Sequence, residues 1–261
     1  MRNCTMVLAL FALALCAKSA QAGLVAYWDF DEGSGTTAAD FSSNDNDGTL
    51  VNTPTWVAGH TGDADDYALE FDQDTTDGVS VPDHSSLDLG SSFTIAAWVY
   101  DQGSAFGYVI GRDIGGVSNY YLQTGRNGDD RKYFWSASDA EFQIRHDFAM
   151  SSNAWHHYAV TFDGSDLRFY LDGSLQGSPD AIGGDKTLSD SSNGLWIGRR
   201  DADTARTWNG YLDDVVIFNS VEDITQIMDG THTAMVPEPA TMSLLVLGLL
   251  GLIGFGRRRK R

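Results

Sequence analysis

From Gly23 onward, short apolar runs alternate with clusters of Gly, Asp, Asn and Ser, and the runs follow a two-residue rather than a 3.6-residue period. Leu24, Ala26, Trp28 and Phe30 alternate with Val25, Tyr27 and Asp29, as in a strand with one face buried. The stretch 93–100 is apolar at almost every position, which predicts a strand covered on both faces. Further strands are expected at 108–112, 119–123, 131–137, 141–146, 155–162, 166–171, 195–198 and 211–218. About a dozen short strands with turn residues between them suit an antiparallel sandwich or barrel rather than a βαβ fold. Asp163-Gly164 and Asp172-Gly173 bracket one hairpin strand with tight-turn signals. One helix is expected, with Ser220 as its N-cap, Asp223 three residues on, and Ile224 and Ile227 on its apolar face. No linker interrupts 23–232, so this stretch reads as one domain.

Both ends of the chain break that pattern. Residues 1–22 combine an early charge, Arg2, an apolar run from Met6 to Ala17 and the small residues Ala20-Gln21-Ala22. This predicts a signal peptide cut by signal peptidase after Ala22. The only two cysteines, Cys4 and Cys16, lie inside it, so the domain has neither thiol nor disulfide. A domain of this size buries enough apolar surface to be stable without one. At the other end, 233–261 contains Val236-Pro237-Glu238-Pro239, an apolar run from Met242 to Phe255, and the basic cluster Arg257-Arg258-Arg259-Lys260-Arg261. The prolines hold the motif away from helix. The run 240–256 as a helix would span roughly 25 Å, somewhat short of a hydrocarbon core. The expectation is membrane insertion by a marginal anchor, with the basic end cytoplasmic.

Charge narrows the partners. The chain carries 36 acidic and 17 basic residues, a net −19; Arg2 and Lys18 lie in the signal and five basic residues close the tail. A body this acidic repels nucleic acid and anionic lipid, and it offers carboxylates to divalent cations.

Several ordered motifs are similar to one family. Ala26-Tyr27-Trp28-Asp29-Phe30-Asp31-Glu32-Gly33-Ser34-Gly35 looks like an opening strand and turn, followed by a loop holding Asp40, Asn44, Asn46, Gly48 and Thr49. Trp155-His156-His157-Tyr158-Ala159-Val160-Thr161-Phe162-Asp163-Gly164, Phe169-Tyr170-Leu171-Asp172-Gly173, Trp196-Ile197-Gly198-Arg199 and Gly210-Tyr211-Leu212-Asp213-Asp214-Val215 complete the set. Together they resemble the laminin-G-like, or concanavalin-A-like, jelly-roll domains of bacterial surface proteins, over almost the whole of 23–232. The resemblance implies an all-β fold of two packed antiparallel sheets, a scaffold that hosts lectins, adhesive modules and glycosidases alike. The tail resembles a PEP-CTERM sorting signal. That resemblance implies an exosortase-type processing enzyme, transient insertion of the tail in the inner membrane, export to the surface or extracellular matrix of a Gram-negative-type bacterium, and a host that makes extracellular polysaccharide.

Candidate chemistry is of three kinds. Asp40, Asn44, Asn46 and Asp47 crowd one short loop whose oxygens suit calcium, with Asp213 or Asp214 reaching in from the closing strand. The alternative is an Asx-rich turn with no metal. Ser43 and Asp45 stand where the family usually has glycine. For sugar stacking, Tyr120, Tyr121, Tyr133 and Trp135 are candidates, half of them expected to face the core, while Trp28, Trp98 and Trp155 are assigned to the core outright. For catalysis, alternation would bring Glu70, Asp72 and Asp74 to one face as in a retaining glycosidase, but Asp74 is one methylene shorter than such sites use. No catalytic residue is assigned. His156 and His157 sit on adjacent strand positions and read as structural. The leading expectation is an exported, non-catalytic surface or matrix protein that binds extracellular polysaccharide or another surface component through a calcium-stabilised jelly roll. A structural envelope protein with protein partners and a glycoside hydrolase of concanavalin-A-like fold remain the alternatives.

Overall fold

The computed structural model describes residues 23–232 except 104–105, 115–116, 127–130, 137–141, 183–187, 189–191 and 201–202. The expected signal peptide, the motif Val236, Pro237, Glu238 and Pro239, and the apolar helix behind it lie outside the described residues.

The first part of the domain supplies β1 (Leu24–Trp28), β2 (Thr37–Ala38), β3 (Gly48–Val51), β4 (Thr55–Ala58), β5 (Tyr67–Phe71) and β6 (Gly78–Val81). Longer strands follow: β7 (Phe93–Asp101), β8 (Phe106–Ile114), β9 (Val117–Arg126), β10 (Arg131–Ser136) and β11 (Phe142–Asp147). The remainder holds β12 (Trp155–Phe162), β13 (Asp166–Leu171), β14 (Ser174–Ala181), β15 (Leu195–Ile197), β16 (Arg199–Arg200), β17 (Asp203–Thr207), β18 (Gly210–Phe218) and a helix, α1 (Ile224–Met228).

One eight-stranded sheet runs β14-β13-β12-β7-β18-β5-β4, with β1 also paired to β18. The second runs β11-β10-β9-β8-β15-β6-β3-β2, and β16 pairs β17 separately. The strands that build the first sheet pair antiparallel throughout. The core lies between the two sheets. Phe93, Ile95, Val99, Val160, Phe162, Leu212 and Ile217 of the first sheet meet Val79, Ile110, Leu122, Phe134 and Ile197 of the second, all buried. The expected all-β two-sheet jelly-roll sandwich is therefore what forms.

Local chemistry explains the agreements and the differences. Asp172 (φ 49°) and Gly173 (φ 72°) are both left-handed, as a tight hairpin between β13 and β14 requires. β14 escapes the apolar pattern because it is mostly exposed and lies at the sheet edge, where Pro179 removes no ladder hydrogen bond. The helix begins later than Ser220 suggested. Asp223 is its N-cap, accepting from the Thr225 N–H, while the Ser220 hydroxyl donates to the Glu222 carboxylate. Ile224 and Ile227 do face inward, onto Ala96, Ala159, Val216 and Phe218, so α1 packs outside the first sheet.

Candidate functional site

The residues expected to share one cation divide into two groups. In the loop after β2, Asp40 Oδ1 accepts the N–H groups of Tyr27 (2.9 Å) and Ser42 (2.8 Å). Its Oδ2 accepts the Ser42 hydroxyl (2.6 Å) and the Asn46 N–H (2.8 Å). Asp47 Oδ1 accepts the Asp40 N–H at 2.8 Å, and the Asn44 and Asn46 amides both donate to the Val25 carbonyl of β1. Asp45 takes φ 56°, a left-handed conformation that Asp tolerates in place of glycine. The loop is thus tied to β1 by its own side chains, and the four lone-pair positions of Asp40 are already directed at protein donors.

Asp213 and Asp214 belong elsewhere, and strand pairing places them. β18 pairs β5 through Gly210, Tyr211 and Leu212 and pairs β1 from Val215 onward, with β7 along its other edge. The two aspartates fall where β18 changes partner. There the ladder to β7 is irregular and Asp214 takes φ 46°. His60, two residues beyond β4, fills the gap. Its Nδ1 lies 2.9 Å from Asp213 Oδ2 and 3.8 Å from Asp214 Oδ2, and its backbone N–H donates to Asp213 Oδ2 at 2.9 Å. The Tyr27 hydroxyl donates to Asp214 Oδ1 at 2.6 Å. One ligand atom each from His60, Asp213 and Asp214 lie within 4.8 Å of one another.

Crowded carboxylates in a sheltered place hold their protons. Burial, with the charge of Asp213 adding to it, pushes the Asp214 carboxyl up to about 7. Burial also pushes Asp29 up to about 7 and raises Asp213, the latter against the opposing pull of His60. Burial disfavours the His60 cation, yet its hydrogen bond to Asp213 and the surrounding carboxylates outweigh this and raise its pKa. The group can therefore take up a proton, or a divalent cation that meets two carboxylates and an imidazole nitrogen.

Beside this group the outer face of the first sheet is aromatic. Register sets Thr55, Glu70, Tyr211, Tyr100 and Trp155 in one row across β4, β5, β18, β7 and β12, and Asp213, Trp98 and His157 in the next. Trp98 and Trp155, expected in the core, are only half-buried here. Each has the parity of the outward residues of its strand, opposite to Val99 and Tyr158. The Tyr100 and Tyr211 rings stack at 4.8 Å and 22°, and Trp155 stands across Tyr100 at 5.6 Å and 68°. His60 stacks on Trp98 at 4.4 Å and meets Trp155 edge-on at 6.3 Å. His157 is buried against Trp98, and burial lowers its pKa to about 4; the exposed side of His156 bonds Asp172 and Ser151.

The aromatics expected to stack on sugar fare differently. Tyr120 faces the core, fully buried, with its hydroxyl donating to the Leu87 carbonyl at 3.3 Å, so it cannot meet a ligand. Tyr121 is on the opposite side of β9 but is only 4% exposed, its ring 5.5 Å from Tyr108. Tyr133 and Trp135 are paired through the backbone with Gln123 and Tyr121; their side chains lie outside the described residues. The carboxylate row Glu70, Asp72 and Asp74 does not form, because β5 ends at Phe71. Asp72 and Asp74 enter a turn in which Asp72 Oδ1 accepts the Asp74 N–H at 2.8 Å, while Glu70 accepts the Thr55 hydroxyl at 2.9 Å. Sequence reasoning missed His60, Tyr27, Tyr100 and Tyr211. Each sits in an ordinary strand or turn context, and only the pairing of β18 with β7, β5 and β1 brings them together.

Two antiparallel sheets packed face to face, with side chains of interest on an outer face, define a jelly-roll domain of the concanavalin A-like class. Residues 73–227 match the family model Laminin_G_3, the Concanavalin A-like lectin/glucanases superfamily, and the chain belongs to that family. Residues 236–260 match the PEP-CTERM protein-sorting motif, which implies export and processing by an exosortase-type enzyme. Among curated proteins, none matches the chain in sequence. Among solved structures, domain 4 of AbnA, a GH43 extracellular arabinanase from Geobacillus stearothermophilus in complex with arabinotriose, is 17% identical with a TM-score of 0.61, over 81% of this chain and 100% of that one. The binding domain of Paraclostridial Mosquitocidal Protein 1 is 15% identical with a TM-score of 0.59, over 78% of this chain and 51% of that one. The Botulinum Neurotoxin serotype G binding domain is 13% identical with a TM-score of 0.57, over 79% of this chain and 50% of that one. The chain thus spans about half the length of these toxin domains, and at such identities the likeness concerns the fold.

Proposed function

We propose that this protein is an exported, non-catalytic binding module, carried through the inner membrane after signal-peptide removal and sorted by its tail to the cell surface or matrix. There it binds extracellular polysaccharide or another surface component. The observation that carries this reading is the rank of half-exposed aromatic side chains, Tyr211, Tyr100 and Trp155, standing in register on an outer face of the sandwich. Aromatic rings of this kind supply large, rigid contact area at low entropic cost. The arabinotriose complex of a domain sharing this fold lends support to a carbohydrate ligand.

Calcium completes the reading. Of the six expected ligands, Asp213 and Asp214 stand together, and a divalent charge would relieve the burial of both and the repulsion that Asp213 exerts on Asp214; calcium would take their oxygens rather than the His60 nitrogen. The Asp40 loop already directs its oxygens at protein donors. In native gels cast with a panel of polysaccharides, the full chain in mild detergent is expected to be retarded by at least one, with no reducing ends released on long incubation. Migration unaltered by every glycan, or steady release of sugar, would defeat the proposal; capture of protein partners alone would select a structural envelope role.

A further inference from the structure

Taking that reading as its basis, we propose that the binding site is the open half of the first sheet's outer face, and that its ligand is a neutral polysaccharide chain lying across the strands. Neighbouring strands stand about 4.8 Å apart, so the row from Thr55 to Trp155 extends about 19 Å, room for several sugar units. Its three aromatic residues are contiguous, on β18, β7 and β12; Tyr100 and Tyr211 stack on each other and Trp155 packs against both, so it is the partly exposed rim of this aromatic cluster that would meet the C–H faces of pyranoses. Polar groups flank them. The Gln102 amide donates to the Tyr211 hydroxyl at 2.9 Å, and Glu70 accepts from Thr55 at 2.9 Å. These are directional groups of the kind that fix a sugar hydroxyl.

Charge selects among polysaccharides. Neither this row nor the adjacent one holds a lysine or arginine, while Glu70, Asp101, Asp213 and Asp214 lie in or beside them. On a chain of net charge −19, a uronate or sulfated polymer would be repelled at this face, whereas a neutral chain gains ring contact at no electrostatic cost. His60 packs against the aromatic row on the same outer face. It lies flat on Trp98 and edge-on to Trp155 while Asp213 holds its Nδ1, so the ring positions are set before ligand arrives.

The test is affinity electrophoresis of the full chain in mild detergent, in gels containing a neutral β-glucan, a galactomannan, an alginate or a chitosan, at low and at high salt. The wild-type protein should be retarded by a neutral polymer, with little change on adding salt, and not by alginate. Trp155→Ala and Tyr211→Ala should each weaken that retardation about tenfold or more. Phe41→Ala, an exposed aromatic elsewhere, should stay within about threefold of wild type. Near-UV circular dichroism of each variant confirms that the sandwich is intact. If a neutral glycan retards the wild type and both alanine variants equally, this face is not the site, although the binding role stands. Retardation by alginate or chitosan alone overturns the neutral class. No retardation by any polymer removes the binding role together with the site.

Discussion

Along β7 the outward side chains Thr94 and Ala96 lie under the segment leading to α1 and under α1 itself, whereas Trp98 and Tyr100, further along the same face, remain partly exposed. The two halves of this face differ first in side-chain size. Ala96 on β7 and Ala159 on β12 leave a shallow bed in which Ile224 and Ile227 of the helix can settle. The segment leading to the helix is latched there: Thr94 Oγ1 donates to the Ser220 carbonyl at 2.8 Å and accepts the Glu222 N–H at 3.0 Å. In the other half the rings of Trp98, Tyr100, Trp155 and Tyr211, with His60, pack on one another and are not covered by the helix. Small residues mark where the chain covers its own sheet, and large amphipathic ones mark where it leaves surface for something else.

The sharpest way to break this contrast is to shave the covered half. Ile227→Ala should lower stability by about 2–4 kcal/mol in urea unfolding, as for a large-to-small change in a packed site. Tyr211→Ala in the open half should cost only about 1 kcal/mol, mostly its stacking on Tyr100. Equal losses would erase the distinction between cover and surface. Next in size, Thr94→Val removes both hydrogen bonds of the latch at nearly constant volume and should cost about 1–2 kcal/mol, with glycan retardation unchanged.

The boundary between the halves should respond to pH and to calcium. Asp29 and Asp214 titrate near 7 when folded but at about 4 when unfolded, so between those values the native state binds more protons than the unfolded one. These two carboxyls make stability fall as pH rises from about 4 to about 7, and the raised pKa of His60 extends the loss above about 6.5; His157, lowered to about 4, opposes them up to about 6.5, so the net fall is that of two carboxyls less one imidazole. Calcium should restore the melting midpoint by a few degrees at neutral pH, a gain reversed by chelator, and should have little effect where the carboxylates are already protonated. A midpoint indifferent to both calcium and chelator argues against the ion. The smallest effect is expected from Glu70→Gln. It should shift stability by no more than about 0.5 kcal/mol, since the Thr55 hydrogen bond is at the surface. Abolition of a measurable glycan hydrolysis by this one change would instead revive the hydrolase alternative.

Much of the scaffold was legible because its signals are local. Period-two alternation located β12 and β13 to the residue, and Asp172-Gly173 announced the hairpin after β13, because a left-handed pair of residues admits few side chains. Trp98 and Trp155 were misplaced because an apolar stretch on both faces of a strand does not say what covers each face; here α1 covers part of one face only. Alternation gives Asp72 and Asp74 strand parity, but β5 ends at Phe71. Composition alone joins Asp40 to Asp213, although the first is held by backbone N–H groups and the second by His60.

Alternation, turn residues and tail motif depend on neighbours a few positions away, and so the all-β sandwich and its sorting address could be read along the chain. The aromatic row and the His60–Asp213–Asp214 group with Tyr27 depend on contacts between residues up to 187 positions apart. They come into being where β18 exchanges β5 for β1, and side-chain parity on five strands becomes one surface only after register has been chosen by the packing of the core.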